Sequence, residues 1–206
     1  MMRNPLAGLS LLLLTAPLAA QSTGTPVFHA PYRAFDRYEI GGNVSDQGNI
    51  TVEGFYGFAE RGGRWDLSIR GGVQDEGEGG GGGGGGRTAL LAGVDGRVRV
   101  FDQSEDFPLD GAFIVGVGTR LVRDGSRLFI PFGLSIGRRL QFEHSSVSLV
   151  PYVEPVLMPT FGTGGDEVAV ALGFGADLRI NRRFEIRVAV GIGDIENFSV
   201  GLAIAR

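Results

Sequence analysis

The chain has 206 residues, 36 of them glycine, no cysteine, 19 basic residues that are all arginine, and a formal charge of −4. That length suits one sizeable domain rather than two. The missing cysteines exclude a thiolate metal site, a disulfide framework and a lipid anchor on cysteine, and the negative balance offers no basic footprint for nucleic acid.

Met1–Ala20 opens with Arg3, continues through the apolar run Leu9–Leu14 and ends in Ala19 and Ala20 before Gln21. This is the pattern of a secretory signal peptide cleaved after Ala20, and its apolar run is shorter than the roughly 20 residues of a membrane-spanning helix. Residues 21–37 are polar, carry Pro26 and Pro31 and show no period, so they are expected to form a periplasmic lead-in in which His29 is a bystander.

Residues 38–206 are expected to form one domain of ten strands, near 38–46, 49–60, 64–74, 88–101, 111–123, 127–139, 147–158, 167–180, 183–193 and 197–206. The clearest evidence is the C-terminal stretch. There Val168, Val170, Leu172, Phe174, Leu178 and Ile180 alternate with Ala169, Ala171, Gly173, Gly175, Asp177 and Arg179, and two further runs repeat the pattern to the end. Alternation of period two is the signature of a strand with two unlike faces. The connections Ser45–Gly48, Asp75–Arg87, Arg123–Ser126, Thr160–Glu167 and Gly193–Asn197 fall at one end. Glu60–Arg64, Asp102–Asp110, Leu140–Ser146 and the turn Asn181–Arg182 fall at the other. An even number of strands returns both termini to the same side. Eight strands is the alternative, should the Gly-rich first pair lie outside the wall.

The small-residue face is too poor in charge to be a soluble exterior, so the apolar face is assigned to lipid and the small face to a narrow lumen. The fold class expected is therefore all-β, an up-and-down antiparallel transmembrane β-barrel. Glu53, Asp66, Arg70, Asp95, Arg97, Arg99, Arg120, Glu154, Asp177, Arg179, Glu185 and Arg187 fall on the lumen face. Isolated charges in such an interior must pair, which favours a salt-bridged filling over an open selective channel. A local ladder of Asp95, Arg97 and Arg99 is expected along one strand. Tyr38, Phe58, Trp65, Phe101, Phe142, Phe161, Phe184 and Phe198 sit near strand ends, where interfacial girdles belong.

Gly79–Gly86 lacks the Lys-Ser/Thr that a phosphate loop requires and reads as a flexible connection. Pro151 and Pro155 cannot donate to a ladder, so a bulge or kink is expected in the seventh strand. No cofactor motif is present.

An export signal followed by alternating strands of membrane-crossing length, running to Phe198, Val200, Leu202 and Ile204, resembles the small bacterial outer-membrane barrels of the OmpA-like and OmpW-like kind. The resemblance implies residence in the outer membrane, insertion by the barrel-assembly machinery, the lipid bilayer as partner, and a non-enzymatic role, structural or as a narrow pore for small solutes. Two other readings stay open. His144 and Ser146 with the later acid Glu154 resemble the catalytic group of outer-membrane lipid A deacylases. A soluble periplasmic barrel binding an apolar ligand would require the apolar face to point inward.

Overall fold

The computed structural model describes residues 28–31, 38–60, 62–75 and 88–205. The signal peptide, most of the lead-in and the glycine run lie outside them. The strands are β1 (Tyr38–Asp46), β2 (Ile50–Ala59), β3 (Trp65–Asp75), β4 (Thr88–Phe101), β5 (Asp110–Val122), β6 (Gly125–Phe129), β7 (Phe132–Gly137), β8 (Leu140–Gln141), β9 (Ser148–Gly162), β10 (Glu167–Arg179), β11 (Phe184–Gly193) and β12 (Asn197–Ala205). All pairings are antiparallel, and β12 pairs back onto β1 from Glu39↔Ala205 to Asp46↔Phe198. The sheet therefore closes on itself.

β6 and β7 share one place in the wall between β5 and β9, while β8 is a two-residue extension against β9. The wall thus has ten staves. The eight-strand alternative fails because β1 is paired along its length to β12 on one side and to β2 on the other. The glycines of β1 weaken its pattern in the sequence, not its place in the ladder.

Burial is inverted relative to a water-soluble protein. Ile50 and Val168 are 60% and 61% exposed, whereas Thr51, Gln74 and Ser135 are at 0%. Ile40, Val52, Ile69, Val94, Val117, Val170, Val190 and Val200 belong to the same outward belt. Such a belt is stable only in contact with lipid, and closure leaves no unpaired strand edge there. The barrel is accordingly of the transmembrane type.

One end gathers the turns at 60–64, 102–109, 138–147 and 180–183 together with Tyr38 and Ala205, and is called here the terminal end. The opposite end carries the turns at 47–49, 123–124, 163–166 and 194–196. At the terminal end Tyr38 stacks on Tyr56 with ring centroids 6.2 Å apart, and Trp65 meets Phe58 edge-on at 6.5 Å. Phe142 and Phe184 are also exposed there, and Phe161 and Phe198 at the opposite end. Phe101 departs from the expected girdle. The register shifts between Arg99 and Phe101, and the Phe101 ring folds over Gly111 against Phe107.

The expected bulge in the seventh strand is not where the chain breaks. β9 runs in unbroken register with β10 from Ser148 to Thr160. Ile130 N–H donates to the Pro159 carbonyl at 2.9 Å and Arg138 N–H to the Pro151 carbonyl at 3.1 Å. In an antiparallel ladder both polar groups of such a residue face the same neighbour. The missing amides of Pro151, Pro155 and Pro159, spaced by four, therefore all face the β6–β7 side. The interruption appears there instead, at Ile130–Pro131 and again after Gly137.

Replacing the outward, mid-strand Val94 by Arg should destabilise the folded barrel by about 2–4 kcal/mol, the cost of a guanidinium facing the bilayer interior. Urea titration in lipid vesicles measures this; a loss below about 1 kcal/mol would argue that this face does not meet hydrocarbon.

Candidate functional site: a divided lumen and its occupant

The interior is chemically uneven: apolar groups gather on β9–β11, where Glu154, Asp177 and Glu185 are also buried. On the β9–β11 side Val150, Tyr152, Val156, Met158, Ala169, Ala171 and Ala189 are buried in one cluster that also contains Phe129 and Ile195. On the side formed by β1–β4, with Arg187 reaching over from β11, ion pairs form beside inward Phe55 and Leu91. Arg70 meets Asp95 at 2.5 Å, Arg97 meets Asp66 at 2.9 Å, and Ser68 Oγ donates to Asp95 at 2.9 Å. The pairs thus cross from β4 to β3; the ladder expected along β4 is not formed. The reason is register, which sets Ser68 opposite Asp95 and Asp66 opposite Arg97.

Arg187 is the hub of the acidic groups. It contacts Glu39 and Glu185, each at 2.7 Å, and Asp177 at 3.9 Å, while its guanidinium lies 5.3 Å from the centre of the Phe55 ring. Glu39 is absent from the sequence-derived set because the first strand's alternation is blurred by glycine, although it is only 2% exposed. The other expected residues also have assigned contacts. Asn43 donates to Glu53, Arg120 to Gln74, and Arg179 to the Asn181 carbonyl. At the rim, Asp102 accepts from Arg99 and Arg64, each at 2.9 Å. Those hydrogen bonds, led by the one from Arg99, hold the Asp102 carboxyl below its ordinary range. A depressed carboxyl contributes at neutral pH and stops contributing as pH falls through its folded value, so this rim contact weakens in acid.

Inward glycines make room for inward rings. A side chain at Gly41 would collide with Phe55, one at Gly118 with Phe129 and one at Gly175 with Tyr152. A fourth ring, over Gly173, belongs to Phe28, which the sequence alone placed in the lead-in.

Residues 28–31 lie inside the barrel. Phe28 and Ala30 are 4% and 1% exposed and belong to the apolar cluster of β9–β11. His29 points to the charged side, its Nε2 3.2 Å from Arg70 Nη2 and 3.7 Å from Asp95. His29 is therefore part of the interior network and not a bystander. The main chain is held as firmly. His29 N–H donates to Glu154 at 2.5 Å, Ser135 Oγ donates to the His29 carbonyl at 2.5 Å, Arg97 donates to the Ala30 carbonyl, and Tyr152 reaches the Phe28 carbonyl at 3.4 Å. A cavity remains beside this segment, lined among others by Glu39, Asn43, Phe55, Asp177, Arg187 and Ser199.

The resemblance to a deacylase group is not assembled. His144 sits in an exposed turn at the terminal end with φ 58°, beside Ser146, where Ser145 N–H donates to the Phe142 carbonyl. Glu154 lies six residues into β9 beyond Ser148, roughly 20 Å along the strand, and is engaged by His29. Among the described residues no three His, Asp or Glu side chains converge as a metal site.

No protein-family model matches the chain, and no curated protein matches it. Solved structures do. The β domain of the Bordetella autotransporter BrkA matches with TM-score 0.55 and 18% identity over 81% of this chain and 76% of that one. A bacterial polysaccharide outer membrane secretin gives 0.49 at 11% identity, over 82% of this chain and 64% of the other. A de novo designed transmembrane β-barrel gives 0.38 at 14%, over 82% and 95%. At such identities the likeness to the autotransporter domain concerns the fold, an outer-membrane type of barrel.

Substituting Arg187 by Gln leaves three inward carboxylates without their shared cation, and the barrel should lose about 3–5 kcal/mol. Adding Glu39→Gln and Glu185→Gln to that variant should recover part of the loss in the same urea titration; no recovery would mean that Arg187 acts by packing on Phe55 alone.

Proposed function

We propose that the protein is a non-enzymatic barrel of the outer membrane whose charged interior side forms a narrow conduit for small hydrophilic solutes, closed in the conformation described. An apolar belt outside and charge inside is the arrangement a water-filled passage through lipid requires. The observation that carries the reading is the cavity beside residues 28–30, whose mixed lining includes the charged Glu39, Asp66, Arg70, Asp95, Arg97 and Arg187. In this reading the terminal end faces the periplasm, the signal peptide directs export and the barrel-assembly machinery inserts the chain. Catalysis plays no part: unchanged lipid A acylation in cells carrying His144→Ala is the expected result, and a changed pattern would restore the enzyme reading.

Because Arg187 is surrounded by three carboxylates, the conduit should favour cations over anions. In planar bilayers the refolded protein should give brief, discrete current steps, and Arg99→Glu at the rim should increase the cation preference. Continuous silence from folded, inserted protein, both native and with Phe28→Ala, would overturn the conduit and leave a structural barrel.

A further inference from the structure

We infer that the lumen is a recognition site for an extended peptide strand bearing an aromatic side chain, and that Phe28–Pro31 is its intramolecular ligand and the stopper of the passage. The site is built for a strand in three respects. First, the segment alternates as strands do: Phe28 and Ala30 face the apolar side of the barrel, and His29 faces the Arg70–Asp95 pair on the other. A ring pocket set across the lumen from an ion pair accepts a period-two ligand in one register only. Second, its main chain is read by side chains from three staves, and its imidazole by a fourth. Glu154 and Tyr152 come from β9, Ser135 from β7 and Arg97 from β4, with His29 against Arg70 of β3. Main-chain contacts supply affinity in strand recognition, and pockets for alternate side chains supply specificity. Third, the aromatic pocket is made by absence: Gly173 on β10 and Gly191 on β11 leave the space in which the Phe28 ring lies.

The segment also lies along the passage in its middle part. Phe28 lies by Gly173, Gly191 and Ile195 toward the opposite end, and Pro31 lies by Gly137 toward the terminal end. A strand lying along the axis blocks solute without any movement of the wall. The passage opens when the ring leaves its pocket and the carbonyls of residues 28–30 exchange their contacts for water. This inference stands on the geometry of residues 28–31 and does not require that the opened lumen conduct.

The chain contains no cysteine, so Ala30→Cys in the full-length refolded protein gives a single reporter thiol inside the lumen. Its rate of modification by a charged, membrane-impermeant methanethiosulfonate should be far below that of the urea-unfolded chain. Gly173→Leu fills the ring's pocket from the wall, and Phe28→Ala removes the ring. Each should raise the rate roughly tenfold or more, the scale of exposing one aromatic side chain. Combining the two lets the leucine occupy the space the ring vacates, and the rate should fall back toward that of the native segment. Three results would overturn the inference: a thiol in the otherwise native barrel that reacts at the unfolded rate, single variants that leave the rate unchanged, or a double variant as fast as either single. Folding of each variant is checked by heat-modifiable gel migration. Should Gly173→Leu not refold, Phe28→Ala decides the question alone by the same tenfold criterion. Current recorded from the same variants separates the two claims. Fast labelling with a silent bilayer removes the conduit and keeps the peptide site.

Discussion

Everything in this barrel depends on the β1–β12 pairing that closes the wall. In hydrocarbon an unpaired backbone amide or carbonyl costs several kcal/mol, and only closure removes the last strand edge. Eight register pairs from Glu39↔Ala205 to Asp46↔Phe198 do this, using a first strand whose Gly41 and Gly42 give it little apolar character. Closure at ten staves then dictates the interior. The circumference is small, so inward positions are crowded and alternate between glycine and large rings on neighbouring strands. That is the use to which much of the glycine excess is put.

Crowding also determines how charge is carried. A guanidinium or carboxylate turned inward has little water to solvate it and needs a partner within reach. Most contacts run between strands: Asp66 with Arg97 directly across the β3–β4 ladder, Asp95 with Arg70 on its diagonal, and Glu39 with Arg187 over the intervening β12. With the Arg70–Asp95 and Arg97–Asp66 pairs on β3 and β4 and the aromatic pocket on β10 and β11, the lumen presents two environments to the segment that lies between them. Phe28–Pro31 matches both, with apolar residues at 28 and 30 and an imidazole between them.

Strand positions were largely legible, because period two survives wherever one face meets lipid. The observed strands begin and end within a few residues of the alternating runs, except that the sixth is divided. Its division was unreadable because its cause lies in another strand: the missing amides of Pro151, Pro155 and Pro159 are visible in the sequence, but which neighbour they face depends on register. The inward charges could be sorted by parity alone, since each shares a strand with outward Val, Ile or Leu. Their partners could not be, and the ladder anticipated within β4 gave way to pairs with β3 for that reason. Glu39 was hidden by flanking glycines. Phe28, His29 and Ala30 carried no signal at all. Four residues between two prolines do not establish a period, and nothing local marks a segment whose contacts are all more than 40 residues away.

The proline row also has a mechanical side. A closed hoop under outward pressure strains most at its softest joint, and three absent amides make the seam between β9 and the divided β6–β7 stave softer than a fully bonded ladder. Ser135, one of the groups holding residues 28–31, stands on that stave, and Glu154 and Tyr152 stand across the seam from it. Any widening of the hoop is therefore concentrated between side chains that grip the segment from two sides. Compliance of the wall and retention of its occupant are properties of one line of residues.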